Sequence, residues 1–195
     1  MKKHIKKIGI LVLAVILVLV GKYVYDININ HNFETITEGK VFKSGVIPPN
    51  EIESYVNKHH IKSIIDLRFP GTGDDVNNPE IPTELTAEKN AIAKIPGVNY
   101  FNDGSGQVPV QKNLDMFFEI MDNPANYPVL IHCYHGVGRA ELYSALYRIE
   151  YEGWDNDKAR TSTRFLTKWS SFDLGKEKGD FLHNYKNRIK KSPKN

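Results

Sequence analysis

The chain has 195 residues, 41% of them hydrophobic and 25% charged, with 26 basic and 23 acidic side chains. That length suits one globular domain with an appendage, and the composition excludes wholesale disorder, a collagen-like fibre and a multi-span membrane protein. A single cysteine excludes a disulfide framework within the chain and argues against a thiolate-rich zinc site.

The charge is unevenly placed. Residues 1–25 hold five lysines (Lys2, Lys3, Lys6, Lys7, Lys22) and no acid, so the remainder has 21 basic and 23 acidic residues and is slightly negative. The pI of 8.8 is a property of the N-terminus. A nucleic-acid partner is not expected, because the folded part lacks a basic character.

After the first lysines, residues 8–21 are uncharged and almost wholly apolar. As a helix these 14 residues span about 21 Å, and counting on to Tyr25 gives about 27 Å, close to the roughly 30 Å hydrocarbon core. Lys22 can snorkel, and Tyr23 and Tyr25 suit an interfacial belt. Residues 1–25 are therefore read as a signal anchor, with a cleaved signal peptide as the alternative; the absence of an Ala-x-Ala site favours the anchor. Either reading leaves Lys2–Lys7 in the cytoplasm and the domain extracytoplasmic, membrane-attached through residues 8–25 or secreted after cleavage.

Residues 26–40 are polar and asparagine-rich and read as a spacer, followed by a domain over 41–191 and a tail at 192–195. Strands are predicted at Lys40–Ser44, Ile61–Leu67, Val98–Phe101 and Pro128–His132, all short β-branched or aromatic runs. Helices are predicted from Asn50 as cap through Lys58, and over Thr83–Lys94, Gln111–Met121, Arg139–Tyr151, Asp155–Leu166 and Lys176–Lys190. Strands alternating with helices imply a three-layer α/β sandwich with a central, mostly parallel sheet.

The strongest chemical signal is Cys133-Tyr134-His135-Gly136-Val137-Gly138-Arg139, set between a buried strand and a helix. Successive amides of a tight loop form an anion-binding concavity, and the helix adds its positive end. Gly136 and Gly138 permit the loop conformation, and Arg139 can clamp two phosphate oxygens with its planar fork. Cys133 at the base of such a loop favours the thiolate and is placed to attack phosphorus. The leaving group then needs a proton donor. Asp103, after a strand and among Gly104 and Gly106, is the first candidate; Asp74, Asp75 and Glu80 are weaker ones. His132, Cys133 and His135 do not suggest zinc, because neighbouring strand residues point to opposite faces and no further ligand cluster accompanies them.

His132-Cys-x-x-Gly-x-x-Arg139 resembles the signature of the cysteine-dependent protein tyrosine phosphatases, in particular their small dual-specificity-like group. Val41-Phe-Lys-Ser-Gly45 with Pro48, Ile61–Arg68, Ser144–Arg148 and Gly153-Trp154 resemble further segments of that group, and the likeness covers roughly residues 33–190. The resemblance implies a dual-specificity-like fold with Cys133 as nucleophile, Arg139 binding phosphate and Asp103 as general acid. It also implies that His132 helps depress the cysteine pKa, that the amides of Tyr134 to Arg139 hold phosphate, and that no metal or cofactor is needed. Ala140 departs from the pattern, which usually has Ser or Thr after the arginine, and slower breakdown of the phosphoenzyme is expected.

The expected substrates are phosphate monoesters: a phosphorylated protein carrying phosphotyrosine or several phospho-residues, or a small phosphate ester. An inositol phosphate or phosphoinositide phosphatase is the alternative with the same chemistry, disfavoured by the absence of lysine from the loop. A catalytically weak phosphate-binding module and a rhodanese-type sulfurtransferase are alternatives of other kinds.

Overall fold

The computed structural model describes residues 2–69 and 82–188; Asp74, Asp75 and Glu80 lie outside them. In chain order the elements are α1 Lys2–Asn28, β1 Glu34–Thr37, β2 Val41–Ser44, α2 Ile52–His59, β3 Ser63–Asp66, α3 Pro82–Ile92 and β4 Asn99–Asn102. They continue with α4 Gln111–Asp122, β5 Val129–His132, α5 Arg139–Tyr151, α6 Asn156–Thr161 and α7 Glu177–Asn184.

The sheet runs in the order β1-β2-β5-β3-β4. β2, β5, β3 and β4 are mutually parallel, and only β1 is antiparallel, against β2. The central strands β2, β3 and β5 are buried at every position, as strands covered on both faces must be. Side chains alternate across the sheet. Val41, Ile65, Val129, Ile131 and Cys133 join Leu114, Phe117, Tyr143 and Leu146 on one face. Phe42, Ile64 and Leu130 join Ile52, Val56 and Ile92 on the other. The expected three-layer α/β fold with a mostly parallel sheet is the one observed.

Residues 26–40 are not a spacer. α1 runs on to Asn28, and Glu34–Thr37 adds the edge strand. Its sequence is polar because one side of an edge strand faces water. Asn50 does not cap α2; Glu51 holds that position without a side-chain bond. α6 stops at Thr161, short of the predicted Leu166. The hydroxyls of Ser162 and Thr163 bond back to the carbonyls of Ala159 and Arg160, closing the helix end. α7 ends at Asn184 rather than Lys190, where Asn156 Nδ2 donates to the carbonyls of His183 and Tyr185.

The side chains of α1 are exposed along the whole apolar stretch. The segment Lys7–Asn28, 22 residues, is long and apolar enough to cross a membrane by length and composition.

Candidate active site

In open parallel sheets, ligands are bound beyond the carboxyl ends of the strands. Here Ser44, Asp66, Asn102 and His132 end β2, β3, β4 and β5 at that edge. The loop Cys133–Gly138 follows β5 directly, and Gly138 occupies the N-cap of α5.

The loop is pinned from outside. The carbonyl of Tyr134 accepts from Val46 N at 2.9 Å. That of His135 accepts from Asn32 Nδ2 at 2.8 Å, that of Gly136 from Lys43 Nζ at 3.4 Å, and that of Val137 from Arg164 Nη2. In a trans peptide the C=O and the following N–H point in opposite directions. Four carbonyls held outward therefore turn the amides of His135, Gly136, Val137 and Gly138 the other way. Gly136 sits at φ +74, and a Cβ there would meet Gly45 N at 2.4 Å, so only glycine fits the approach to β2.

These amides edge a cleft of about 470 Å³ lined by Cys133, Tyr134, His135, Val137, Gly138 and Arg139 together with Gln107, Arg164, Lys176 and Lys178. Cys133 is 3% exposed. Arg139 Nη1 donates to the carbonyls of Leu67 at 2.7 Å and Ser105 at 3.1 Å. Beneath the loop, Lys43 is buried between Glu34 and Glu141, 2.8 Å from each. The two carboxylates outweigh its desolvation and raise the Lys43 pKa.

His132 does not touch the thiol. Strand alternation sends its side chain to the sheet face opposite Cys133. There its Nε2 lies 3.1 Å from Glu88 Oε1 and 3.7 Å from Asp66 Oδ1. Arg68 donates to Asp66 at 2.7 Å and to Glu88, and Tyr100 Oη donates to Asp66 at 2.6 Å. Burial raises the Glu88 pKa. For Asp66 burial acts upward but is outweighed by His132 and by bonds from Arg68 and Tyr100, so its pKa falls. Asp66, Glu88 and His132 offer atoms close enough to ligate one ion. The guanidinium of Arg68 already bridges both carboxylates and supplies the positive charge such an ion would bring. This is a buried charge network under the loop, which the sequence reading missed because its members are far apart in the chain.

Asp103 follows β4 at the same edge, but it is not among the residues lining the cleft. It is 2% exposed, accepts from Asn113 Nδ2 at 2.7 Å and from Tyr143 Oη at 3.3 Å, and burial raises its pKa. Gln107 faces the cleft from that segment, its Oε1 accepting from Lys178 Nζ at 2.6 Å.

Arg164, Lys176 and Lys178 had no signature in the sequence. The first fell in the helix predicted over Asp155–Leu166 and the others in that predicted over Lys176–Lys190, with nothing to tie either to the loop. Lys178 is largely buried, and desolvation lowers its pKa against the opposing pull of the Cys133 charge. Desolvation likewise lowers the Arg164 pKa, against the pull of Glu141 first and Cys133 second. Ala140 is fully buried, and Ser144, one turn further along α5, donates its Oγ to the Ala140 carbonyl at 2.8 Å.

A mostly parallel sheet carrying a cysteine–arginine loop at its carboxyl edge is the arrangement of the dual-specificity phosphatase fold. A family model described as PTP-NADK, "DSP-PTPase phosphatase fused to NAD+ Kinase", matches residues 22–177, and the chain belongs to that family. The dual specificity protein phosphatase TpbA of Pseudomonas aeruginosa is 53% identical over 32 residues, 16% of this chain and 15% of that protein. The aligned part of that curated relative is thus a short segment. Among solved structures, the core catalytic domain of the PP-IP phosphatase Siw14 from S. cerevisiae has a TM-score of 0.59 at 21% identity, covering 82% of this chain and 88% of that one. The P. aeruginosa TpbA structure has a TM-score of 0.55 at 16% identity, covering 80% and 86%. A TpbA variant in complex with phosphotyrosine has a TM-score of 0.52 at 17% identity, covering 79% and 89%. These likenesses establish the fold.

Proposed function

We propose that the protein hydrolyses phosphate monoesters, with phosphotyrosine or phosphoprotein as the substrate class, through a cysteinyl-phosphate intermediate. The observation that carries this is the loop between β5 and α5, whose amides and Arg139 converge on the cleft that holds Cys133. The Cys133 thiolate attacks phosphorus; an S–P bond forms and the P–O bond to the leaving group breaks. Arg139 and the amides of Tyr134 to Arg139 stabilise the charge on the equatorial oxygens. Asp103 gives its proton to the leaving oxygen once its carboxyl leaves Asn113 and Tyr143 for the cleft; its raised pKa supports a protonated acid. Water then cleaves the S–P bond and releases inorganic phosphate. His132 acts from beneath through the charge network.

Residues 1–25 serve as a membrane anchor in this reading, with the phosphatase domain extracytoplasmic and its sheet beginning ahead of residue 41 at Glu34. The test is release of p-nitrophenol from p-nitrophenyl phosphate by the full chain under reducing conditions. Cys133→Ser is expected to abolish turnover. Undiminished turnover in that variant excludes the mechanism.

One observation favours a second reading. Arg164, Lys176 and Lys178, against the single carboxylate of Glu177, make the cleft more cationic than its loop alone, which suits polyanionic esters such as inositol phosphates. Assaying these beside a phosphotyrosine peptide separates the two.

A further inference from the structure

The segment between α6 and α7 presents large apolar side chains to solvent beside the cleft. Phe165 is wholly exposed, Trp169 is 80% exposed, and Leu166 and Leu174 are exposed as well. A folded domain rarely leaves such a run uncovered without a partner surface. Trp169 is not loosely held. Its backbone sits at φ +64, a conformation that L-residues seldom adopt, and its N–H donates to Asp173 Oδ2 at 3.0 Å. Lys168 Nζ stands 5.0 Å from the centre of its ring. Arg164, Lys168 and Lys176 intersperse the apolar residues with positive charge.

The position of this rim relative to α1 names its occupant. Phe165 and Arg164 line one concavity together with Lys22 and Asp26 of α1. Lys22 closes the uncharged stretch that begins at Ile8. It lies six residues, about 9 Å of helix, before the end of α1, on the side of the apolar stretch. Phe165, which shares that concavity with Lys22, therefore stands near the level at which a spanning α1 would pass from hydrocarbon to headgroups. Aromatic residues interleaved with Arg and Lys are the composition of that layer.

We infer that Phe165, Leu166 and Trp169 rest in the surface of the bilayer that α1 crosses, with Lys168 facing anionic headgroups, so that the catalytic cleft opens at the membrane surface. Arg164 lines both the cleft and the concavity at α1, which ties the two together. This inference rests on the anchor reading of residues 1–25.

The test uses the full chain in vesicles containing anionic lipid and lipids brominated high on the acyl chain, with tryptophan emission as the readout. The chain has two tryptophans, Trp154 and Trp169, and Trp154 is covered by Arg148 and Lys158. Quenching is expected to remove up to about half of the wild-type emission, the share of one ring, and to be absent in Trp169→Phe. A Phe165→Ser/Leu166→Ser double variant is expected to lose most of the quenching while hydrolysing p-nitrophenyl phosphate at the wild-type rate. If the chain floats with the vesicles and Trp169 stays unquenched, the rim faces water or a protein and the inference fails while the anchor stands. If the chain does not float, both fail.

Discussion

Lys43 and Glu141 lie 2.8 Å apart under the Cys133–Gly138 loop, each almost wholly buried, and join β2 to the first turn of α5. Neither lines the cleft, yet Lys43 also holds the Gly136 carbonyl. Glu141→Gln strips Lys43 of its buried partner and leaves it only the more exposed Glu34, so it is expected to destabilise the fold, by less than the roughly 3–5 kcal/mol of a fully broken buried pair. Lys43→Met combined with Glu141→Leu should recover most of that in urea melts. A double variant no more stable than Glu141→Gln contradicts the pairing.

Gly136→Ala is expected to lower kcat by about 100-fold, the effect of displacing a reacting group by an ångström. Its Cβ would meet backbone atoms of Ser44 and Gly45, which cannot swing aside. Steady-state kinetics on a variant shown to be folded decide it. Wild-type kcat would mean that the loop does not depend on this approach.

For Asp103 the informative experiment is a comparison of leaving groups. Asp103→Asn should slow hydrolysis of an alkyl or phenyl phosphate by about 10²–10⁴-fold, because a poor leaving group needs the proton. It should slow p-nitrophenyl phosphate much less. Equal losses on both would assign Asp103 a purely structural part, through Asn113 and Tyr143.

Ala140 has no hydroxyl to offer the sulfur as it departs, and Ser144 is turned toward a helix carbonyl. Rapid mixing with p-nitrophenyl phosphate is expected to show a burst and then slow turnover. Ala140→Ser should raise the steady rate and shrink the burst. A linear wild-type time course would place the slow step elsewhere.

Acid should weaken the fold through Asp66. Its folded-state pKa lies below the unfolded value, so its stabilisation is complete above about pH 4, the ordinary carboxylate range, and is lost as pH falls through the folded value. Burial shifts Glu88 the opposite way, so its contribution declines as pH rises above that same range. Thermal melts should show Tm dropping below about pH 4, with a shallower drop in Asp66→Asn. An unchanged acid limb in that variant rules Asp66 out as the cause.

The parallel strands and the loop were legible because both are local: a buried strand running into two glycines and an arginine can do few things. β1 was not legible, since Glu34-Thr-Ile-Thr37 is polar and gains its strand identity only from β2. Nor could the chain order show that Arg164 and Lys178, 31 and 45 residues after Cys133, return to its cleft. The position of Asp103 follows from sequence; the direction of its carboxyl depends on Asn113 and Tyr143, which are specified only by packing.

The outward hydrogen bonds of the loop carbonyls have a thermodynamic consequence. Val46, Asn32, Lys43 and Arg164 hold the loop through its carbonyls and leave its amides to the cleft. An anion entering the cleft therefore meets donors already oriented, and little chain entropy remains to be lost on association. Substitution of Asn32 or Lys43, well outside the signature, would show itself as a slower and more pliable catalyst rather than an emptied site.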